Sequence, residues 1–68
     1  MKIFAQRLRE LRQQHGFSQQ RMAEMLHIKQ QSYCRYELAT GEPSLVTLRE
    51  IALLFNVTTD YLVGLSDI

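Results

Sequence analysis

Apolar residues return every three or four positions along nearly the whole chain, the period of α-helices with one buried face. In the first segment they are Ile3, Phe4, Leu8 and Leu11, with Arg7, Arg9, Glu10 and Arg12 on the other faces. Gly16 follows as a helix stop. Ser18 can cap a second helix, and Phe17 and Met22 stand at the spacing of a hydrophobic staple. That helix carries Met22, Ala23 and Leu26 on one face. Only His27, Ile28 and Lys29 separate it from a third segment, where Tyr33 and Tyr36 share a face and Gln30, Gln31, Cys34 and Arg35 lie on others. The stretch TGEPS holds Gly41 and the only proline, Pro43, and reads as a loop. Ser44 can cap a fourth helix bearing Leu45, Leu48, Ile51, Ala52 and Phe55. Thr58 can cap a short fifth with Tyr61 and Leu62, closed by Gly64. There is no long alternating run, repeat or low-complexity segment, so the pattern predicts an all-α fold.

Size narrows the choice. A chain of 68 residues makes one domain, residues 1–68, with no room for a deep cleft and a lid. Chains this short bury only about 60% of the surface they expose when unfolded, so local helical contacts suit them. Cys34 has no partner for an internal disulfide, which suits a reducing cytoplasm. The longest apolar run, IALLF, falls far short of the roughly 20 residues of a membrane span. The net charge is only +1, but residues 1 to 41 hold seven Lys/Arg against three acids, and residues 42 to 68 hold one against four. A basic front and an acidic back can turn one face to phosphates.

The second and third helices, joined by so short a turn, must cross steeply. Ala23 supplies the small residue such a crossing needs. One helix is then left to lie in a DNA major groove while the other spans the phosphate backbone. Lys29, Gln30, Gln31, Cys34 and Arg35 remain outward on the second of the pair. Glutamine can pair bidentately with an adenine edge. On its own a glutamine pair at a helix start is more often a solvated surface, so the surrounding pattern decides.

That pattern resembles the lambda repressor-like, Cro-type (XRE) helix-turn-helix family of bacterial and phage regulators. The resemblance is carried by RLRELRQQHGFSQ, MAEMLHI, RYE and PSLVTLREIALLFNVTTDYLVG, which run from about 7 to 64, with the helix-turn-helix itself at about 19–38. It implies a compact five-helix domain that binds operator DNA. Carried over by position, it puts Gln30, Gln31 and Ser32 at the start of the recognition helix against base edges. It gives Arg35 a base or phosphate contact and Gln19 a phosphate at the front of the second helix. Arg12 and Glu37 match a pair that ties the first helix to the end of the recognition helix. The chain departs from the family at His27, where glycine is usual, and at Lys29, where a Ser or Thr cap is usual. The capping position thereby goes to a side chain suited to phosphate. Leu38, Ala39 and Thr40 stand where a glycine often follows Glu37.

The expected function is a sequence-specific double-stranded DNA-binding regulator, a repressor, reading DNA with residues 30 to 37. Useful specificity calls for a homodimer on a two-fold operator, with Leu65 and Ile68 as candidate contacts. Arg7 and Arg9 of the first helix are further candidates for phosphate contact, against a reading as solvated charges. The alternative is a protein-interaction module, antagonist-binding or antitoxin-like, in which DNA contact is secondary. Tyr33 and Tyr36 point inward by spacing rather than toward bases. His15, His27 and Cys34 lack metal-ligand spacing, and no Ser/His/Asp set or carboxylate pair shares a face, so neither metal, cofactor nor catalysis is expected.

Overall fold

The computed structural model describes all of residues 1–68 and contains five α-helices. They are α1 (Lys2–Gln14), α2 (Gln19–Leu26), α3 (Gln30–Glu37), α4 (Leu45–Phe55) and α5 (Thr59–Val63). The all-α expectation is met, and three helices start as expected. Ser18, Ser44 and Thr58 hold extended dihedrals and accept hydrogen bonds from the backbone N–H of Arg21, Thr47 and Tyr61. Each bond satisfies one amide that a helix start leaves unpaired.

The helix ends share one device. A residue in the left-handed region follows each helix, namely Gly16, His27, Ala39, Asn56 and Gly64. In every case the next residue's N–H reaches back five positions, as from Ile28 to the Ala23 carbonyl and from Thr40 to the Arg35 carbonyl. This double closure is the Schellman motif. Only two of the five are glycine. His27 takes φ 57°, as its place in the turn implied. Ala39 takes φ 62°, with no side-chain group to favour it. Gly64 has a second reason to lack a side chain, because a Cβ there would stand 2.9 Å from Ile3 Cγ2.

One core joins the helices. Phe4 and Leu8 of α1, Met22 of α2, Tyr33 of α3, Ile51 of α4 and Leu62 of α5 are its most deeply buried members. Helix α1 packs on α3 and α5, α2 on α3 and α4, and α4 on α5. Ala23, buried where α2 meets the turn into α3, accepts the Ile28 N–H at 3.0 Å, consistent with the tight approach its size allows. Two residues of the expected inward stripes lie outside: Ile3 covers Gly64 from a partly exposed position, and Leu45 is 84% exposed. Both sit at the first turn of a helix, where the stripe has yet to rotate under the neighbouring helices.

Candidate nucleic-acid interface

Helix α3 is held from behind by aromatic packing. Tyr33 is fully buried and Tyr36 nearly so, with ring centroids 6.2 Å apart in an edge-to-face arrangement. Phe4 of α1 meets Tyr36 edge-on at 6.3 Å. With both rings inside, neither is available for stacking on bases. The opposite side of α3 is open: Lys29, Gln30, Gln31 and Arg35 are exposed, and Ser32 and Cys34 are half-buried. Lys29 occupies the N-cap with extended dihedrals and makes no side-chain cap bond. The first amides of α3 therefore have no side-chain acceptor, and an exposed lysine occupies the cap position before them. Such an end attracts anions. Gly41 lies close behind Arg35, where a Cβ would come within 3.2 Å of the Arg35 Cβ. The loop after α3 thus passes close to the stem of that arginine, where a side chain at 41 would crowd it.

The end of α3 is fixed by Glu37, the one buried charged residue. Arg12 grips it with two parallel bonds, Nε to Oε2 at 2.7 Å and Nη2 to Oε1 at 3.1 Å. The Tyr33 hydroxyl donates to the same carboxylate, and Gln19 Nε2 donates to Oε1 at 3.2 Å. Arg12 Nη1 also donates to the Phe17 carbonyl at 3.0 Å, so α1, the α1–α2 turn, α2 and α3 share one node. No buried side-chain nitrogen or oxygen lacks a partner. Burial pushes the Glu37 carboxyl up, but the bonds from Arg12, Tyr33 and Gln19 outweigh it and hold the group below the usual carboxylate range. Burial, aided by the neighbouring carboxylate, pushes the Tyr33 phenol up, so it stays a donor. The bond to Glu37 likewise holds Arg12 protonated beyond its ordinary range. The Arg12–Glu37 tie is therefore present, and larger than a pair.

Gln19 belongs partly to this node. One of its amide hydrogens goes to Glu37, and the half-buried amide makes no second side-chain bond within the chain. Arg7, by contrast, is not a phosphate-facing side chain. Its Nη1 donates to the carbonyls of Tyr61 and of Ser66, the latter at 2.7 Å, and its guanidinium lies 4.3 Å over the Tyr61 ring. Asp67 approaches at 3.8 Å. The expectation of a phosphate contact at Arg7 is corrected: it pins the C-terminal segment to α1. Arg9 is exposed and unpaired. The basic front is correspondingly thinner than its count, since Arg7 and Arg12 serve the fold and Arg21 pairs with Glu24 at 3.6 Å. Lys2, Arg9, Lys29 and Arg35 remain without an ion partner.

His15, which has no metal-ligand spacing, has a packing role instead. It stacks on Phe17 at 5.8 Å and meets Phe55 edge-on at 4.8 Å, closing the α1–α2 turn over α4. The order His-Gly-Phe after an amphipathic helix was the available signal. No three His, Cys, Asp or Glu side chains gather as a metal site. The one groove, of about 270 Å³ between α2 and α4, is smaller than ordinary small-molecule sites and sits apart from the outer side of α3. No helix is long and apolar enough to cross a membrane.

Two short helices closed by a left-handed turn, the second holding its polar side clear of the core, define a helix-turn-helix domain. The chain belongs to the helix-turn-helix family, whose model matches residues 8–62. It is 43% identical over 60 residues to the SPbeta prophage-derived uncharacterized HTH-type transcriptional regulator YonR of Bacillus subtilis, covering 88% of this chain and 56% of that protein. It is 38% identical over 65 residues to the uncharacterized HTH-type transcriptional regulator YobD of the same organism, covering 96% and 58%. To the HTH-type transcriptional regulator ImmR, also of Bacillus subtilis, it is 39% identical over 62 residues, covering 91% and 49%. The chain thus spans about half the length of the curated relatives it matches. No solved structure matches significantly. All three relatives carry the name of HTH-type transcriptional regulators.

Proposed function

We propose that this chain is a sequence-specific, double-stranded DNA-binding transcriptional regulator, acting as a repressor, that lays α3 in the major groove. The observation that carries this reading is the division of α3: two tyrosines and Glu37 locked inward, Lys29, Gln30, Gln31 and Arg35 held outward. Gln30 and Gln31 offer amides to base edges, and Arg35 offers a guanidinium one turn further along to a base or phosphate. Ser32, half-buried on the same turn, adds a hydroxyl to the rim. Lys29 and the second amide hydrogen of Gln19 take phosphates at the two helix starts, fixing register without reading sequence. Because one such helix reads only a few base pairs, the working form is a homodimer on a two-fold operator with half-sites about one helical turn apart. The relatives, all named transcriptional regulators, support the same reading.

Selection from a random duplex library tests it. The enriched pool should share a short motif, recur with two-fold symmetry, and bind on the order of a thousandfold tighter than random duplex. A pool that binds no better than the starting library contradicts the reading.

A further inference from the structure

The outer face of α4 is unlike that of an ordinary surface helix. Its inner face, built on Leu48, Ile51, Ala52 and Phe55, packs on the core. An outer face is normally charged or polar. Here Leu45, Val46 and Leu53 are 84%, 70% and 62% exposed. Between them stand Arg49 and Glu50, also exposed, in a loose contact of 3.8 Å with one another. By helical spacing these five residues form one stripe along α4. Exposed apolar side chains at both ends of one helix face, with charges between them, suit a protein contact.

The order of residues along the stripe says what fits it. Leu45 and Val46 lie at one end, Leu53 at the other, and the opposite charges of Arg49 and Glu50 sit side by side at the middle. A two-fold axis passing between Arg49 and Glu50 lays a second α4 antiparallel on the first. Arg49 then faces the partner's Glu50, Val46 faces the partner's Leu53, and Leu45 faces the partner's Leu54. The groove lined by Met25, Leu26, Glu50, Leu53 and Leu54 lies beside that end of the stripe and would receive the partner's Leu45. The charges and the apolar ends both satisfy the self-complementarity that an isologous contact demands. Leu65 and Ile68 are equally exposed but occur on a short tail with no charge pattern of that kind.

We infer that the outer stripe of α4 is the surface through which two copies of this chain associate. This deepens the dimer proposed above and rests on that reading. A helix of 11 residues is about 16 Å long, so the contact is small. It belongs to the weak, transient class of interfaces and gains its full effect when both copies are held on one operator.

The test contains no DNA. Sedimentation equilibrium of the 68-residue chain should detect reversible dimers at sub-millimolar to millimolar concentration. Arg49→Glu and Glu50→Arg each place like charges across the axis and should weaken self-association at least about tenfold. Mixed one to one, the two variants regain complementary faces and should form heterodimers within about threefold of the parent affinity. Both positions are exposed, so the helices should persist in each variant, as circular dichroism would check. A parent chain that stays monomeric throughout, variants that dimerise as well as the parent, or a mixture no tighter than its components would each overturn the inference. None of these outcomes touches the DNA reading of α3, and a failed operator selection leaves this association intact.

Discussion

Arg12 and Glu37 stand 25 positions apart and meet as a two-pronged fork, Nε to Oε2 at 2.7 Å and Nη2 to Oε1 at 3.1 Å. This contact ties the end of α3 to α1 and α2, because the same carboxylate holds the Tyr33 hydroxyl and the Gln19 amide. Glu37→Ala strands a largely buried guanidinium and a buried phenol. It should lower unfolding free energy by about 3 kcal/mol, measured by urea denaturation. That is a large part of the total for a domain of this size.

The same carboxylate sets a dependence on acid. Its value in the folded chain lies below the ordinary one, so between the two values the unfolded chain binds more protons. The Glu37 contribution is complete above about pH 4.3, the usual glutamate value, and is lost as pH falls through the folded value. Denaturation from pH 7 down to pH 3 should show this loss in the parent. Glu37→Gln should show a clearly shallower decline, and parallel declines would assign the effect to other carboxylates.

Ala39 ends α3 at φ 62°, a conformation that disfavours any side chain with a Cβ by roughly 1 kcal/mol. Ala39→Gly should therefore raise stability by about 1 kcal/mol, or about 4–8 °C in Tm. The closing bonds from Ala39 to Tyr36 and from Thr40 to Arg35 need no change. A lowered Tm would mean that the methyl group packs usefully at that turn.

Binding to DNA should weaken steeply with salt, the logarithm of affinity falling with log salt at a slope of about −0.9 per phosphate neutralised. Lys29→Ala and Arg35→Gln test which cations contribute, each flattening the slope by about 0.9 if it meets a phosphate. Arg7→Ala should leave the slope unchanged while releasing the segment around Ser66, seen as faster amide exchange there. A flattened slope in Arg7→Ala would return that arginine to the DNA-facing set.

Local signals in the chain were strong enough to place all five helices and to put Tyr33 and Tyr36 inside. Ser18, Ser44 and Thr58 announce their helices because a cap acts within three residues. The role of Arg7 does not show in the pattern, because its partners lie 54 and 59 residues away, beyond any helical period. The left-handed Ala39 was hidden for a different reason: alanine carries no preference for that conformation, and the closing bonds around it impose it. On α3, spacing distinguishes the outward glutamines from the inward tyrosines, but which bases they meet depends on a DNA partner that spacing does not describe.

The outward amides of α3 are tested most directly by the base preferences of Gln31→Ala. Parent and variant should be titrated against the selected operator and its single-base-pair substitutions. The variant should lose discrimination at one base pair in each half-site, by about 1–3 kcal/mol, while its affinity for random duplex stays nearly constant. An equal loss on operator and random DNA, with every base preference preserved, would contradict a base-reading role for this face.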